Sequence, residues 1–217
     1  MRFIVSIIFV LVISLSVLTA EVDIGFFGGM TNFSFSGKAP ENGEYAGLSG
    51  YGGALLFDVY FIEDLALSLQ PGYMQKGARI VFYNRFEDDL IDSVFFVHQG
   101  CLNLPLNFKF YTPSHHFYFL GGFNLDYFLE NTFNKEGEVS KDLDDLLRKY
   151  DLSINFGIAY QYFIKSFNFF LEFRYTQGFR NMNKSNYSTK SDDTSVYISN
   201  FKSGGILLLL GLSFRIY

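Results

Sequence analysis

The stretch that decides the fold is GGILLLLGLSFRIY, Gly204–Tyr217, whose apolar run from Ile206 to Leu212 lies against the carboxyl terminus. A membrane-crossing helix needs about 20 apolar residues in a row, and this run meets Ser213 and Arg215 long before that. Read with a period of two, Ile206, Leu208, Leu210, Leu212, Phe214 and Ile216 share one face. Gly205, Leu207, Leu209, Gly211, Ser213 and Arg215 share the other. The segment is a β-strand with one wholly apolar side, and the rest of the chain decides what that side meets.

The same design recurs upstream. LSINFGIAYQYFI places Leu152, Ile154, Phe156, Ile158, Tyr160 and Tyr162 opposite Ser153, Asn155, Gly157, Ala159 and Gln161. FNFFLEFRYTQGF sets Phe167, Phe169, Leu171, Phe173 and Tyr175 against Asn168, Phe170, Glu172, Arg174 and Thr176. FYFLGGFNLDYFLE and LNLPLNFKF alternate in the same way. With noisier candidates near Val22–Ser36, Gly50–Ile62 and Leu65–Tyr83, eight strands are expected. The connections alternate too. Long polar loops fall near Gly37–Ser49, Asn84–Asp92, Asn131–Tyr150 and Asn181–Asn200, and short turns near Glu63–Asp64, Thr112–His115 and Lys165–Ser166. Long loops at one end and tight turns at the other describe an antiparallel up-and-down barrel.

Composition agrees, with 28 Phe, 15 Tyr and 20 Gly against 4 Pro and no Trp, a diet of β-formers and turn residues. The amino terminus, MRFIVSIIFVLVISLSVLTA, has a basic residue at Arg2, an apolar core and small residues near Ala20. It reads as an export signal over residues 1–20, cleaved at Ala20–Glu21, with the barrel domain over 21–217. The mature chain would carry more acidic than basic side chains, which gives no basic footprint for nucleic acid. A lone Cys101 allows no intramolecular disulfide.

An exported eight-stranded barrel is either a soluble cup, apolar inside, or an outer-membrane barrel, apolar outside. Volume separates them. Phe and Tyr crowd the apolar phase, whereas Gly50, Gly52, Gly72, Gly122, Gly157, Gly205 and Gly211 fall largely on the polar phase. An eight-stranded interior has room only for modest side chains, so the apolar face is expected to meet lipid. Lipid in turn demands closure, because an open sheet edge would strand backbone polar groups in hydrocarbon. The last strand must therefore pair with the first.

In order along the chain, LQPGYMQKGARI, LNLPLNFKFY, FYFLGGFNLDYFL, FGIAYQY, FLEFRYTQGFRNM and LLLGLSFRI resemble the bacterial outer-membrane β-barrel domain family that includes PorT-like proteins. The resemblance covers nearly the whole mature chain. It implies an integral outer-membrane location in a diderm bacterium and little chemistry. Ile216, rather than an aromatic, takes the last lipid-facing position, with Tyr217 one beyond.

The polar phase supplies the candidate site residues: Asp58, Asp126, Glu130 and Glu172 against Lys76, Lys109, Arg174 and Arg215. Unpaired buried charge is costly, so the set is expected to form a paired structural network in the lumen rather than an ion path. Bulky Tyr60, Tyr118, Phe128 and Phe170 are expected to help fill it. His115 and His116 would need a further ligand from elsewhere to hold a metal. His98 and Cys101 fall on opposite phases, which argues against a nucleophilic pair and leaves Cys101 as a buried thiol. His98 is also the one candidate base for a lipid-modifying enzyme. Glu87, Asp88, Asp89 and Asp92 lack the ordered spacing of a calcium loop. SKDLDDLLRKY places Leu143, Leu146, Leu147 and Tyr150 at helical spacing behind Ser140, an expected short amphipathic helix over the barrel mouth.

The expectation is a non-enzymatic, monomeric barrel with a plugged lumen, no cofactor and no metal. Its function would lie in surface loops that serve interaction or envelope structure. A small pore or transporter is the alternative, and a lipid-modifying enzyme the third reading. The expected partners are outer-membrane lipid, the barrel-assembly machinery during biogenesis, and a protein outside the cell or in the periplasm.

Overall fold

A computed structural model describes residues 21–40, 42–86, 89–135, 141–144, 147–184 and 200–216. Among the described residues ten strands run in chain order: β1 (Val22–Gly37), β2 (Gly43–Ile62), β3 (Leu65–Leu69), β4 (Gly72–Phe86), β5 (Asp89–Tyr111), β6 (Phe117–Lys135), β7 (Lys141–Asp142), β8 (Tyr150–Ile164), β9 (Phe167–Gly178) and β10 (Phe201–Ile216). Both β3 and β4 lie between β2 and β5 and act as one stave. The break falls at Gln70–Pro71, where proline offers no N–H to the ladder. The two-residue β7 only caps an edge of β6. Eight antiparallel staves therefore close into a ring, sealed by β1 pairing with β10 from Val22↔Ile216 to Gly37↔Phe201.

The outside of the ring carries one continuous apolar band. On β10 the exposed apolar residues run from Ile206 through Leu208, Leu210 and Phe214 to Ile216, close to the about 9–11 residues a tilted strand needs to cross hydrocarbon. Aromatic rings mark both borders, as expected at membrane interfaces. Tyr51, Tyr73, Tyr150 and Tyr175 stand at the looped end, and Phe61, Phe110, Phe117, Tyr162, Phe167 and Phe214 at the end with the tight turns. Inside, small residues relieve crowding. Gly211 faces Phe170 across the β9–β10 ladder, and a Cβ there would lie 2.1 Å from the ring.

Beyond the band, at the looped end, the strands continue and their apolar phase inverts. Phe33, Phe35, Ile80, Phe95, Val97 and Phe201 all turn inward and are buried, while Asn32, Arg79 and His98 face out. On β6 the switch is made by a β-bulge, where the register against β5 moves between Gly100 and Cys101; on β5 the inward positions run unbroken from Phe95 to Lys109 and only the residue types change. A bulge adds one residue to one strand and so reverses which face every later side chain meets. On β4 the inward positions run unbroken through Met74, Lys76, Ala78 and Ile80, and Gly77 between them takes a φ of +147° that suits glycine.

This extension corrects the sequence reading in two places. The segments expected as long loops near 37–49 and 84–92 are largely strand, because β2 begins at Gly43, β4 runs to Phe86 and β5 begins at Asp89. The amphipathic helix expected at 140–150 is absent from the described residues. Lys141–Asp142 pairs with β6, and Leu147 bridges Asn183. The Leu147 N–H donates to the Leu143 carbonyl at 3.0 Å, and both leucines join the apolar cluster that caps the mouth. Ser140 lies outside the described residues.

Candidate functional site

The lumen is built from the inward phase of every stave, and its polar groups are stacked along the barrel axis. At the turn end, Arg215 Nε donates to Asp23 Oδ1 at 2.8 Å, and its Nη1 reaches Glu21 at 3.2 Å. Tyr60 donates to Asp23 Oδ2 at 2.9 Å and stacks under the Arg215 guanidinium, 4.5 Å from the ring centroid. This layer floors an open vestibule of about 450 Å³ lined by Glu21, Tyr60, Glu63, His115, Phe163 and Arg215.

One layer deeper, Lys109 Nζ donates to Asp58 Oδ2 at 2.7 Å and lies 4.7 Å from the Tyr118 ring centroid. The Tyr118 hydroxyl donates to Glu172 Oε2 at 2.8 Å. Arg174 grips Glu172 through Nε at 2.7 Å and through Nη2, and also donates to Gln70 Oε1 at 2.7 Å. Above it, Lys76 Nζ meets Asp126 Oδ2 at 2.5 Å, and Asn103 and Asn124 add their own donors to that carboxylate. The remaining gap beside Lys76 and Arg174 is about 10 Å³, the space of about one water.

Seven of the eight expected residues thus form four ion pairs: Lys76–Asp126, Lys109–Asp58, Arg174–Glu172 and Arg215–Asp23. Glu130 is not among them. The bulge that pairs Gly100 with Glu130 and Cys101 with Phe128 turns Glu130 to the exposed face. Asp23 and Asp151 belong to the lumen and were missed. Asp23 stands directly opposite Arg215 in the closing ladder, a partnership readable once the last strand is laid against the first. Asp151 extends the polar phase of Ser153 and Asn155 one step upstream of Leu152, where the readable alternation starts. Tyr60, Tyr118, Phe128 and Phe170 are all buried as expected.

The other candidates do not assemble. His98 is exposed and stacks on Phe96, whereas Cys101 is fully buried with its thiol 3.3 Å from the Met74 carbonyl. His115 lies 3.5 Å from Asp64 and 3.7 Å from Glu63, while His116 turns toward the Gln161 carbonyl. Among the described residues, no group of three or more His, Cys, Asp or Glu is placed to hold a metal ion. Glu87 and Asp88 lie outside the described residues, and so do the side chains of Asp89 and Asp92.

A closed ring with a lipid-facing apolar band and a filled polar lumen defines an integral outer-membrane β-barrel. Residues 16–184 match the outer membrane protein beta-barrel domain, and the chain belongs to that family. No curated protein matches the chain. Solved structures similar to it include Ail, the attachment invasion locus protein of Yersinia pestis, at 16% identity and a TM-score of 0.40, covering 91% of this chain and 99% of that one. Neisserial surface protein A is similar at 14% identity and a TM-score of 0.38, covering 89% and 97%. The outer membrane protease OmpT of Escherichia coli is similar at 10% identity and a TM-score of 0.42, covering 91% and 97%.

Proposed function

We propose that this protein is a closed outer-membrane scaffold, without catalytic activity, that holds folded hairpins above the outer leaflet. There they contact a partner outside the cell or brace the envelope. The observation that carries this reading is the inversion of the apolar phase beyond the membrane band. Residues such as Phe33, Ile80, Phe95 and Phe201 turn inward there, so the strands build a compact core above the lipid instead of ending in a wet mouth. Solvent-facing side chains of those same strands, Arg79 and His98 among them, are then presented for recognition.

In this reading the leader over residues 1–20 is cleaved at Ala20–Glu21, the barrel-assembly machinery inserts the mature chain as a monomer, and lipid contacts the Ile206–Ile216 face. The order of its motifs supports a PorT-like place within the family. The four ion pairs are structural. A pore would have to pass both the Arg174–Glu172 layer and the apolar cap, and a lipid-modifying enzyme would need partners for His98.

The test replaces residues 185–199, and separately the tip of the β4–β5 hairpin, with short Gly-Ser turns. Both variants should keep the gel shift between unheated and boiled samples that marks a closed barrel. They should also reproduce the adhesion or dye-permeability change of cells lacking the gene. Full complementation by both variants would overturn the proposal.

A further inference from the structure

The lumen's charges are uneven. Leaving aside Glu21 at the open rim, the described carboxylates facing the interior are Asp23, Asp58, Asp126, Asp151 and Glu172, and the cations are Lys76, Lys109, Arg174 and Arg215. Each cation has its own acid. Asp151 is left over. It is 1% exposed, and neither oxygen has a hydrogen-bond partner among the described residues.

Its surroundings sharpen the imbalance. Asp151 lies directly opposite Asp126 in the β6–β8 ladder, and like charges in that position destabilise a sheet. Asp126 already takes the Lys76 ammonium and the amides of Asn103 and Asn124, so that lysine's direct bond is spent elsewhere. Lys76 and, more weakly, Arg180 are cations that act on Asp151, and Arg180 stands exposed at the rim. On the far side of Gly178 sits Ser203, 3% exposed, whose hydroxyl is also without a partner among the described residues. A Cβ at Gly178 would lie 2.8 Å from Asp151 Oδ2 and 2.9 Å from the Ser203 carbonyl oxygen. Gly178 thus brings the two residues together with no side chain of its own between them.

We propose that Asp151 and Ser203 form a binding site for one small hard monovalent cation, with sodium as the probe. The free groups are oxygens, the donor type such ions select. One added positive charge balances the lumen, whereas a buried unpaired carboxylate would be strongly destabilising. The proposal stands apart from the role of the outer hairpins.

The test measures the thermal unfolding midpoint of the full mature chain folded in detergent at pH 8, in sodium chloride and in N-methylglucamine chloride at equal ionic strength. The parent should melt higher in sodium, with saturation as sodium is raised. Asp151→Asn should lose the sodium dependence and melt at least as high as the parent does in N-methylglucamine. Should Asp151→Asn fail to fold, Ser203→Ala keeps the charge and should shift the sodium response to higher concentration. Equal midpoints for the parent in the two salts would overturn the proposal, as would a sodium response unchanged in Asp151→Asn or Ser203→Ala. A midpoint that rises on acidification without any sodium effect would assign the fifth charge to a bound proton and refute the cation site.

Discussion

Arg215, one residue from the end of β10, donates to Asp23, the second residue of β1, at 2.8 Å across the seam where the barrel closes. Asp23 is buried, whereas the Arg215 side chain is about a quarter exposed. The two partners are therefore not equivalent. Arg215→Ala strands a buried carboxylate with only the Tyr60 hydroxyl, and should cost about 3 kcal/mol, the lower end for breaking a buried pair. Asp23→Ala leaves a guanidinium that water and Glu21 can still solvate, and should cost about 1 kcal/mol. Urea unfolding of the vesicle-inserted barrel reads both. Equal costs would mean the seam is not held by this pair.

The two faces of β10 separate at Leu209 and Leu210. Leu210 is 65% exposed to the lipid side and Leu209 is fully buried, packed in the apolar cluster. Leu210→Arg should cost about 2–4 kcal/mol, the scale for a cation at mid-membrane on the lipid face. Leu209→Ala should cost about 2–5 kcal/mol through the cavity it opens, and Leu210→Ala far less. The same unfolding assay decides. A larger loss at Leu210→Ala than at Leu209→Ala would reverse the assignment of inside and outside.

Gly211 is held to glycine by one neighbour. A Cβ would lie 2.1 Å from Cζ of Phe170, whose ring is itself wedged edge-on against Phe27. Gly211→Ala should cost about 1–3 kcal/mol, the usual range for overpacking a tight interior. Combining it with Phe170→Leu should recover part of that loss. Additive losses in the double variant would show that the two positions do not compete for the same space.

The staves β8, β9 and β10 were the most legible in the sequence, and the reason is geometric. Over most of its length each stays within the membrane band, so Leu152 to Tyr162, Phe167 to Tyr175 and Ile206 to Ile216 keep one apolar phase. The strands β1, β2, β4, β5 and β6 rise above the band, and there the favourable side for Phe and Ile changes from lipid to core. A single strand such as β1 then carries Phe26 outward and Phe33 inward, which blurs the alternation and makes strand look like loop. Glu130 was misassigned for the same reason, since no period-two reading anticipates a bulge. Of the lumen network, the cations were all legible because Lys and Arg on a polar phase are conspicuous. Asp23 and Asp151 sit near strand starts, where the phase has too few neighbours to define it.

The proposed function rests on a lumen sealed twice, by the stacked ion pairs and by the apolar cap. Planar-bilayer recording of the purified, folded chain tests it most directly. The parent should show no steady conductance. Glu172→Ala with Arg174→Ala removes only the ion-pair layer and should give at most brief flickers, because Phe33, Phe95, Leu147 and Phe201 still close the outer end. A stable, voltage-independent channel in the unaltered protein would show that the lumen is open.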